Sequence, residues 1–265
     1  MTGQPTTILP LFDPDRGFAG VYDLLYGTAS DFLTAREHYL AGWLAPVAGT
    51  VLDAGCGTGH QLLSLYRRGR RAVGLDLDPA MLALARQRLA AHGLPPRLLR
   101  ADLRRPLPLA PAFGAILCLE SPLAYLQSGR ELDTALAEFY RLLRPGGVLV
   151  LDVFDYLATF GPEGTAPQTT HFPFPRGEVI VQEAHRYEPD AHVWHMRQSF
   201  SIRGPDGQAS FSIHHRLYVR SPQEYVAALE RAGFGIAELR HRYPSAGSHD
   251  TEEQRVICVA QVRAA

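Results

Sequence analysis

From Thr50 to Phe154 the chain alternates short, nearly continuous apolar runs with longer segments of helical pattern, and few architectures accommodate that alternation. The apolar runs are Thr50 to Asp53, Arg71 to Leu77, Leu98 to Ala101, Ala115 to Leu119 and Gly147 to Phe154. Between them a glycine-rich turn opens a helix that ends near Gly69. A second helix, Pro79 to Gly93, has proline in its first turn and glycine just past its end, and a third, Gly129 to Leu143, is stopped by RPGG. Strands buried on both faces read as apolar runs, and parallel neighbours need a crossover long enough to hold a helix. The spacing predicts an α/β fold with a doubly wound, mostly parallel sheet and a ligand crevice at the carboxyl ends of its strands.

The flanks differ. Phe18 to Gly49 carries apolar and aromatic residues at helical spacing, interrupted at Gly27 to Ser30, which predicts two helices that cover something. Leu157 to Gly177 is rich in Pro, Gly and Thr and reads as a long functional loop. Glu178 to Glu188, His192 to Arg203 and Gln208 to Arg220 read as three strands of an inserted antiparallel meander. In the last of these, alternation puts Phe211, Ile213, His215, Leu217 and Val219 on one face, expected to pack. Ser212, His214, Arg216 and Tyr218 share the other, expected to be open to a ligand, although period alone leaves open which face meets the crevice. Ser221 to Ala232 is a helix with a capping-box start, and Phe234 to Arg242 with Arg255 to Val262 reads as a closing strand pair around the polar loop Pro244 to Glu253.

Composition excludes several chemistries. The 265 residues are 46% hydrophobic and 20% charged, enough for a real core. All 26 basic residues are arginine, so no lysine is present to form a Schiff base or reach a phosphate. With 27 acidic residues the net charge is −1, which disfavours a nucleic-acid partner. Cys56, Cys118 and Cys258 are too sparse for a disulfide framework and fit a reducing cytoplasm. The N-terminus lacks a signal-peptide pattern, and no run reaches the ~20 apolar residues of a membrane helix. No ligand cluster for a metal stands near the strand ends, and a monomer or homodimer is expected.

The turn in VLDAGCGTGHQL presents Gly55, Gly57 and Gly59 at a helix start, where unpaired amides point outward and a ligand can approach closely. His60 stands where the dinucleotide fingerprint has its last glycine, and Asp53 adds negative charge. Both argue against a pyrophosphate and for a less anionic ligand carrying an amino group.

VLDAGCGTG, GLDLDPAML, RADL and LRPGGVLVLDVF occur in the order found in class I S-adenosylmethionine-dependent methyltransferases, which the chain resembles over Val51 to Phe154. GVYDLLYG and HHRLYVRSPQEYVAALERAGF resemble, more loosely, small-molecule members that methylate amines of metabolites or of nucleotide-linked amino sugars. The resemblance implies a seven-stranded Rossmann-like methyltransferase sheet with the meander inserted, and S-adenosylmethionine as cofactor. It implies that Gly55, Cys56, Gly57 and Gly59 cradle the amino-acid part of the cofactor, with Asp53 near its amine. Asp76 would take both ribose hydroxyls, Leu77 and Met81 would pack on the adenine, Asp102 and the Leu103 amide would meet its edge, and Leu119 would complete the set. Many relatives have Asp where this chain has Gly114, a departure expected to be structural. The implied organisation is a helical cover (1–48), a cofactor-binding core (49–156), a substrate lid of proline-rich loop and meander (157–220), and a C-terminal helix with closing strands (221–265).

A neutral amine brings its own lone pair to an in-line methyl transfer, so the enzyme has mainly to align it. The expected activity is methyl transfer to a small molecule at an amine nitrogen, with an RNA or protein methyltransferase, or a catalytically silent cofactor-binding subunit, as alternatives. LESPLAYL lacks the NPPY-type tetrad of base-methylating enzymes. Acceptor-side candidates are Tyr22 with Tyr26, one helical turn apart, then Glu120, Ser121 and Tyr125 after the fourth strand, and His214 on the meander as a histidine base.

Overall fold

A computed structural model describes residues 17–26, 30–174, 177–204, 207–244 and 254–262. Two helices, α1 (Gly17–Tyr26) and α2 (Ser30–Leu44), precede the alternating region. That region comprises β1 (Thr50–Ala54), α3 (His60–Arg67), β2 (Ala72–Asp76), α4 (Pro79–Ala91), β3 (Leu98–Arg100), β4 (Phe113–Cys118), α5 (Gly129–Leu142) and β5 (Leu143–Phe154). A short helix α6 (Tyr156–Phe160) leads to β6 (Thr165–Phe174), β7 (Gly177–Glu188), β8 (Val193–Gly204) and β9 (Gly207–Tyr218). The chain then returns through α7 (Pro222–Arg231), β10 (Gly235–Arg240) and β11 (Arg255–Gln261).

The first sheet has seven strands in the order β10-β11-β5-β4-β1-β2-β3, with β11 antiparallel to both its neighbours and the other pairs parallel. Alternate residues feed two cores. Leu52, Ile116, Leu149 and Leu151 pack with Phe139 of α5 and Leu229 of α7, while Val51, Ala115, Val148 and Val150 pack with Leu40 of α2 and Leu62 of α3. Both faces are therefore covered, which is why the strands read as unbroken apolar runs. Helix starts follow the local sequence: Asp78 caps α4 ahead of Pro79, and Ser221 and Glu224 form the reciprocal capping box of α7. Gly114 is structural, since a Cβ there would stand 2.0 Å from the Ala48 carbonyl oxygen and 3.0 Å from the Arg144 guanidinium.

The meander needs correction. It has four strands in the order β6-β7-β8-β9, and the stretch expected to be a loop supplies α6 and β6. Pro167 and Pro173 lie in β6, which pairs with β7 alone; an edge strand has one ladder to maintain and tolerates residues that cannot donate. The leader before Gly17, most of the break at Gly27 to Ser30 and the polar loop beyond Pro244 lie outside the described residues.

The meander and α1 form one cover. Val179, Val181, Phe200 and Ile202 pack against Val21 and Leu24, while Ala19 on α1 packs against Met81 and Leu84 of α4.

Candidate active site

A cavity of about 460 Å³ lies at the carboxyl ends of β1 and β4. Its floor is the turn after β1 (Asp53, Gly55, Cys56, Gly57, Thr58) with the exit of β4 (Leu119, Glu120, Ser121). Its walls and roof come from Phe18, Tyr22 and Tyr26 of α1, Arg36 of α2, Glu183 and His185 of β7, His215 of β9 and Arg255 of β11. Elements far apart in sequence therefore close over the strand ends, as the crevice rule for open α/β sheets anticipates.

Asp53 is 2% exposed, and its Oδ2 is a buried oxygen with no hydrogen-bond partner among the described residues. Burial, with Asp76 adding repulsion against the pull of Arg36, pushes its carboxyl up to about 7. A donor carrying positive charge is what such a group lacks. Gly57 has φ +51°, and a Cβ built on it would meet nothing within 4 Å, so its open side faces free space at the cavity floor. Gly59 serves another purpose: its Cβ would come within 3.0 Å of Ala85, so it lets α3 start tight against α4 and does not line the cavity. An ammonium at Asp53 and a close-approaching ligand at Gly57 are the features required by the amino-acid part of S-adenosylmethionine, and these residues fit it.

Asp76, Leu77, Met81, Asp102 and Leu103, also expected to meet the cofactor, lie outside the enclosed space. Asp76 ends β2 and accepts from the backbone N–H groups of Gly57 (2.8 Å) and Asp78 (2.9 Å), which orients its carboxylate beside the turn. Leu77 is exposed at the same edge. Met81 is buried and packs with Ala19, Phe18 and Tyr22, so α1 takes the contact expected for an adenine. Asp102 holds Arg104, with the guanidinium 2.8 to 3.1 Å from its two oxygens, and that pairing keeps its carboxyl below the usual range. Leu103 packs against the core at its border.

At the other end Glu120 and Ser121 adopt positive φ (62° and 71°), a backbone conformation rare outside glycine. The bend is held by β5, since Ser121 N–H donates to the Asp152 carbonyl (3.0 Å) and Ser121 Oγ accepts from Phe154 N–H (2.8 Å). It turns Glu120 into the cavity against two arginines: Arg36 on one oxygen and Arg255 (3.0 Å) on the other. Arg255 also grips buried Asp152 at 2.8 and 2.9 Å. Burial opposes the charge on Glu120, but Arg255 and Arg36 outweigh it and hold the carboxyl below its ordinary range. Glu120 is thus a fixed anion and a poor proton acceptor.

Tyr22 packs edge-on to Phe18 and 5.0 Å from Tyr26, and burial followed by the charge of Glu120 keeps its phenol protonated. His214 is exposed on the outer face of the meander, where its Nε2 stands 2.8 Å from His195 Nδ1, so it is withdrawn as a base for this cavity. The neighbouring face turns inward, so the positions expected to pack are also those that meet the ligand space. Buried His215 has Nδ1 2.8 Å from the Tyr125 hydroxyl and Nε2 without a partner among the described residues. Burial lowers its pKa and favours the neutral ring.

Sequence reasoning missed Arg36, Arg255 and Glu183. Trp194 Nε1–H donates to His185 Nδ1 (2.8 Å), which leaves the proton on Nε2, 2.7 Å from Glu183. Gln198 donates to the second oxygen of Glu183 and lies 3.3 Å from the Tyr26 hydroxyl. Burial disfavours the Glu183 charge, yet His185 and Gln198 overcome it and lower its pKa. The alternation of β7 is visible in sequence; its facing an anion into this cavity depends on how the meander docks.

A methyltransferase-domain family model matches residues 51–147. The chain is 29% identical over 225 residues to a dTDP-3-amino-3,4,6-trideoxy-alpha-D-glucopyranose N,N-dimethyltransferase of Streptomyces venezuelae, covering 83% of this chain and 91% of that protein. It is 45% identical over 133 residues to a malonyl-[acyl-carrier protein] O-methyltransferase of Serratia marcescens, which takes in 50% of this chain and 48% of that one. Among solved structures it resembles a SAM-bound amino pentose methyltransferase from Micromonospora echinaspora, with a TM-score of 0.73, 28% identity, and coverage of 91% and 96%. The amino-sugar likeness extends over the cover and meander, while the second match takes in only half of each chain.

Proposed function

Because the chain belongs to the class I S-adenosylmethionine-dependent methyltransferases, we propose that it methylates an amine nitrogen of a small molecule, with nucleotide-linked amino sugars as the acceptor class. The observation that carries this reading is one cavity joining an unpartnered buried carboxyl and an open glycine at its floor to an anionic and aromatic chamber under α1 and the meander.

S-adenosylmethionine, when bound, supplies a methyl group activated on a sulfonium. Asp53 would receive its ammonium, Gly57 would admit its backbone-like part, and Asp76, oriented by Gly57 and Asp78, would accept from the ribose hydroxyls. Cys56, Leu77 and Leu119 would add apolar contact, the Leu103 amide would meet the adenine edge, and Asp102 would reach the adenine amino group by sharing its oxygens with Arg104.

On the acceptor side the residues align and exclude water. Tyr22 and Tyr125 offer hydroxyls, Glu120 and Glu183 present negative charge to an amine and to hydroxyls, and His215 adds a neutral ring nitrogen. An amine attacks through its own lone pair, so positioning carries the rate and no strong base is required. Glu120, held ionised between Arg36 and Arg255, orients the amine; release of the proton after transfer falls to water. Action in the cytoplasm, as a monomer or homodimer, is part of this proposal; three buried free thiols fit a reducing compartment, and no helix among the described residues is long and apolar enough to cross a membrane.

The test is direct. The purified chain is incubated with S-adenosylmethionine and a panel of dTDP-linked amino sugars, glycine, sarcosine, a phenol and a carrier-bound carboxylate. S-adenosylhomocysteine and the methylated product are read by mass spectrometry. Turnover of an amino sugar with the methyl on nitrogen is expected, and transfer confined to an oxygen acceptor overturns the reading.

A further inference from the structure

Asp23 is fully buried on α1 and reaches across to the glycine-rich turn. Its Oδ1 accepts from Thr58 Oγ1 at 2.6 Å and lies 3.1 Å from His60 Nε2, while its Oδ2 accepts from Arg88 of α4. Arg88, 2% exposed, also donates through Nε to the Thr58 carbonyl at 2.8 Å. One carboxylate thus joins the leading helix, α4, Thr58 of the turn and the first residue of α3. Thr58 sits between Gly57, whose open side faces the cavity floor, and Gly59, which is wedged against Ala85. Among the described residues the turn is otherwise held by its near neighbours: Gly55 and Cys56 donate to the Leu75 carbonyl, Gly57 to Asp76, and Gly59 to the Cys56 carbonyl.

We propose that Asp23 is a positioning residue for cofactor binding, clamping Thr58, His60 and Arg88 so that docking of α1 and the binding shape of the Gly57–Gly59 turn are one event. Two features exceed a need for stability. A buried ion pair stabilises a fold little compared with apolar packing, and α1 already has apolar contacts through Ala19, Val21 and Leu24. The carboxylate is also aimed at Thr58 of the turn and at His60, the first residue of α3. Because such coupling is reciprocal, cofactor binding must tighten α1 as much as docked α1 tightens the cofactor.

The inference rests on the cofactor reading above, and the experiment separates the two. Full-length wild type, Asp23→Asn and Thr58→Val are titrated calorimetrically with S-adenosylhomocysteine, and amide exchange over residues 17–26 is followed with and without it. Wild type is expected to bind and to gain protection in 17–26. Asp23→Asn should bind at least tenfold more weakly and lose that ligand-dependent protection, and Thr58→Val, which keeps the side-chain volume, should bind several-fold more weakly. A purely structural role would lower the melting temperature of the free and bound forms equally and leave affinity unchanged; that result for a folded variant overturns the proposal. Should Asp23→Asn not fold, unchanged affinity in Thr58→Val overturns it alone. Wild type that fails to bind removes the cofactor reading and the clamp together.

Discussion

The backbone N–H of Gly57 donates to Asp76 Oδ2 at 2.8 Å, which couples the turn after β1 to the carboxyl end of β2. Asp76 therefore stands in two relations, to the turn and to the ribose it is proposed to meet. Hydrogen bonds to charged groups contribute about 1.5–3 kcal/mol each. Asp76→Ala should weaken S-adenosylmethionine binding by at least tenfold in calorimetric titration; unchanged affinity in a folded variant removes the ribose assignment.

Gly57→Val and Gly59→Ala should fail differently. At Gly57 the left-handed φ of +51° strains a branched residue and the side chain enters the open space, so binding is lost while circular dichroism keeps its native form. At Gly59 the added methyl meets Ala85 at 3.0 Å, so the expected effect is a lower melting temperature. Comparable binding and stability losses in both variants would contradict this division.

Asp53 makes stability depend on pH in an unusual direction. Its folded pKa lies near 7 against an ordinary value of 3.8, so between these pH values the folded state holds a proton that the unfolded chain has released. The contribution is fully present below pH 3.8, falls as pH rises through 7 and is flat beyond, a swing of about 4 kcal/mol. Urea melts of the cofactor-free chain from pH 5 to 8 should show this decline, and Asp53→Asn should remove most of it. An ammonium bound at Asp53 favours the ionised form, so cofactor binding near pH 6.5 should release a proton, read from calorimetry in buffers of different ionisation enthalpy (a test pH set by the raised carboxyl).

Glu120→Gln leaves Arg36 without its carboxylate, whereas Arg255 keeps Asp152. The loss of stability should fall at or below the ~3–5 kcal/mol typical of a broken buried pair, because Glu120 opens into the cavity. Cofactor affinity should change little and turnover should drop. A variant as stable and active as wild type would assign Glu120 no part in the site.

Glu183→Gln should leave cofactor affinity intact and lower kcat/KM for the amine acceptor, as should Trp194→Phe, which frees the His185 tautomer. A fall in cofactor affinity instead would move Glu183 to the other end of the cavity.

The strand and helix order was legible because each element carries its own period and its own stops: Asp78 and Pro79 at the start of α4, Ser221 and Glu224 at the start of α7, apolar runs in strands covered on both faces. The turn at Gly55 to Gly59 and the acids Asp53 and Asp76 were legible for the same reason, since they end strands whose neighbours in sequence are their neighbours in space. The strand at Thr165 to Phe174 was hidden because its prolines are tolerated only by virtue of its place at a sheet edge, a tertiary fact.

The acceptor half belongs to tertiary structure. Alternation along β9 puts His214 and His215 on opposite faces, but only the docking of the meander on α1 decides that His215 turns inward. Arg36, Glu183 and Arg255 come from α2, β7 and β11 and meet through packing between elements, which leaves no periodic trace in any one of them. Local spacing encodes what each segment is and which residues share its face. Burial of those faces against one another decides which charges are drawn from water into a common cavity, and hence what the cavity can bind.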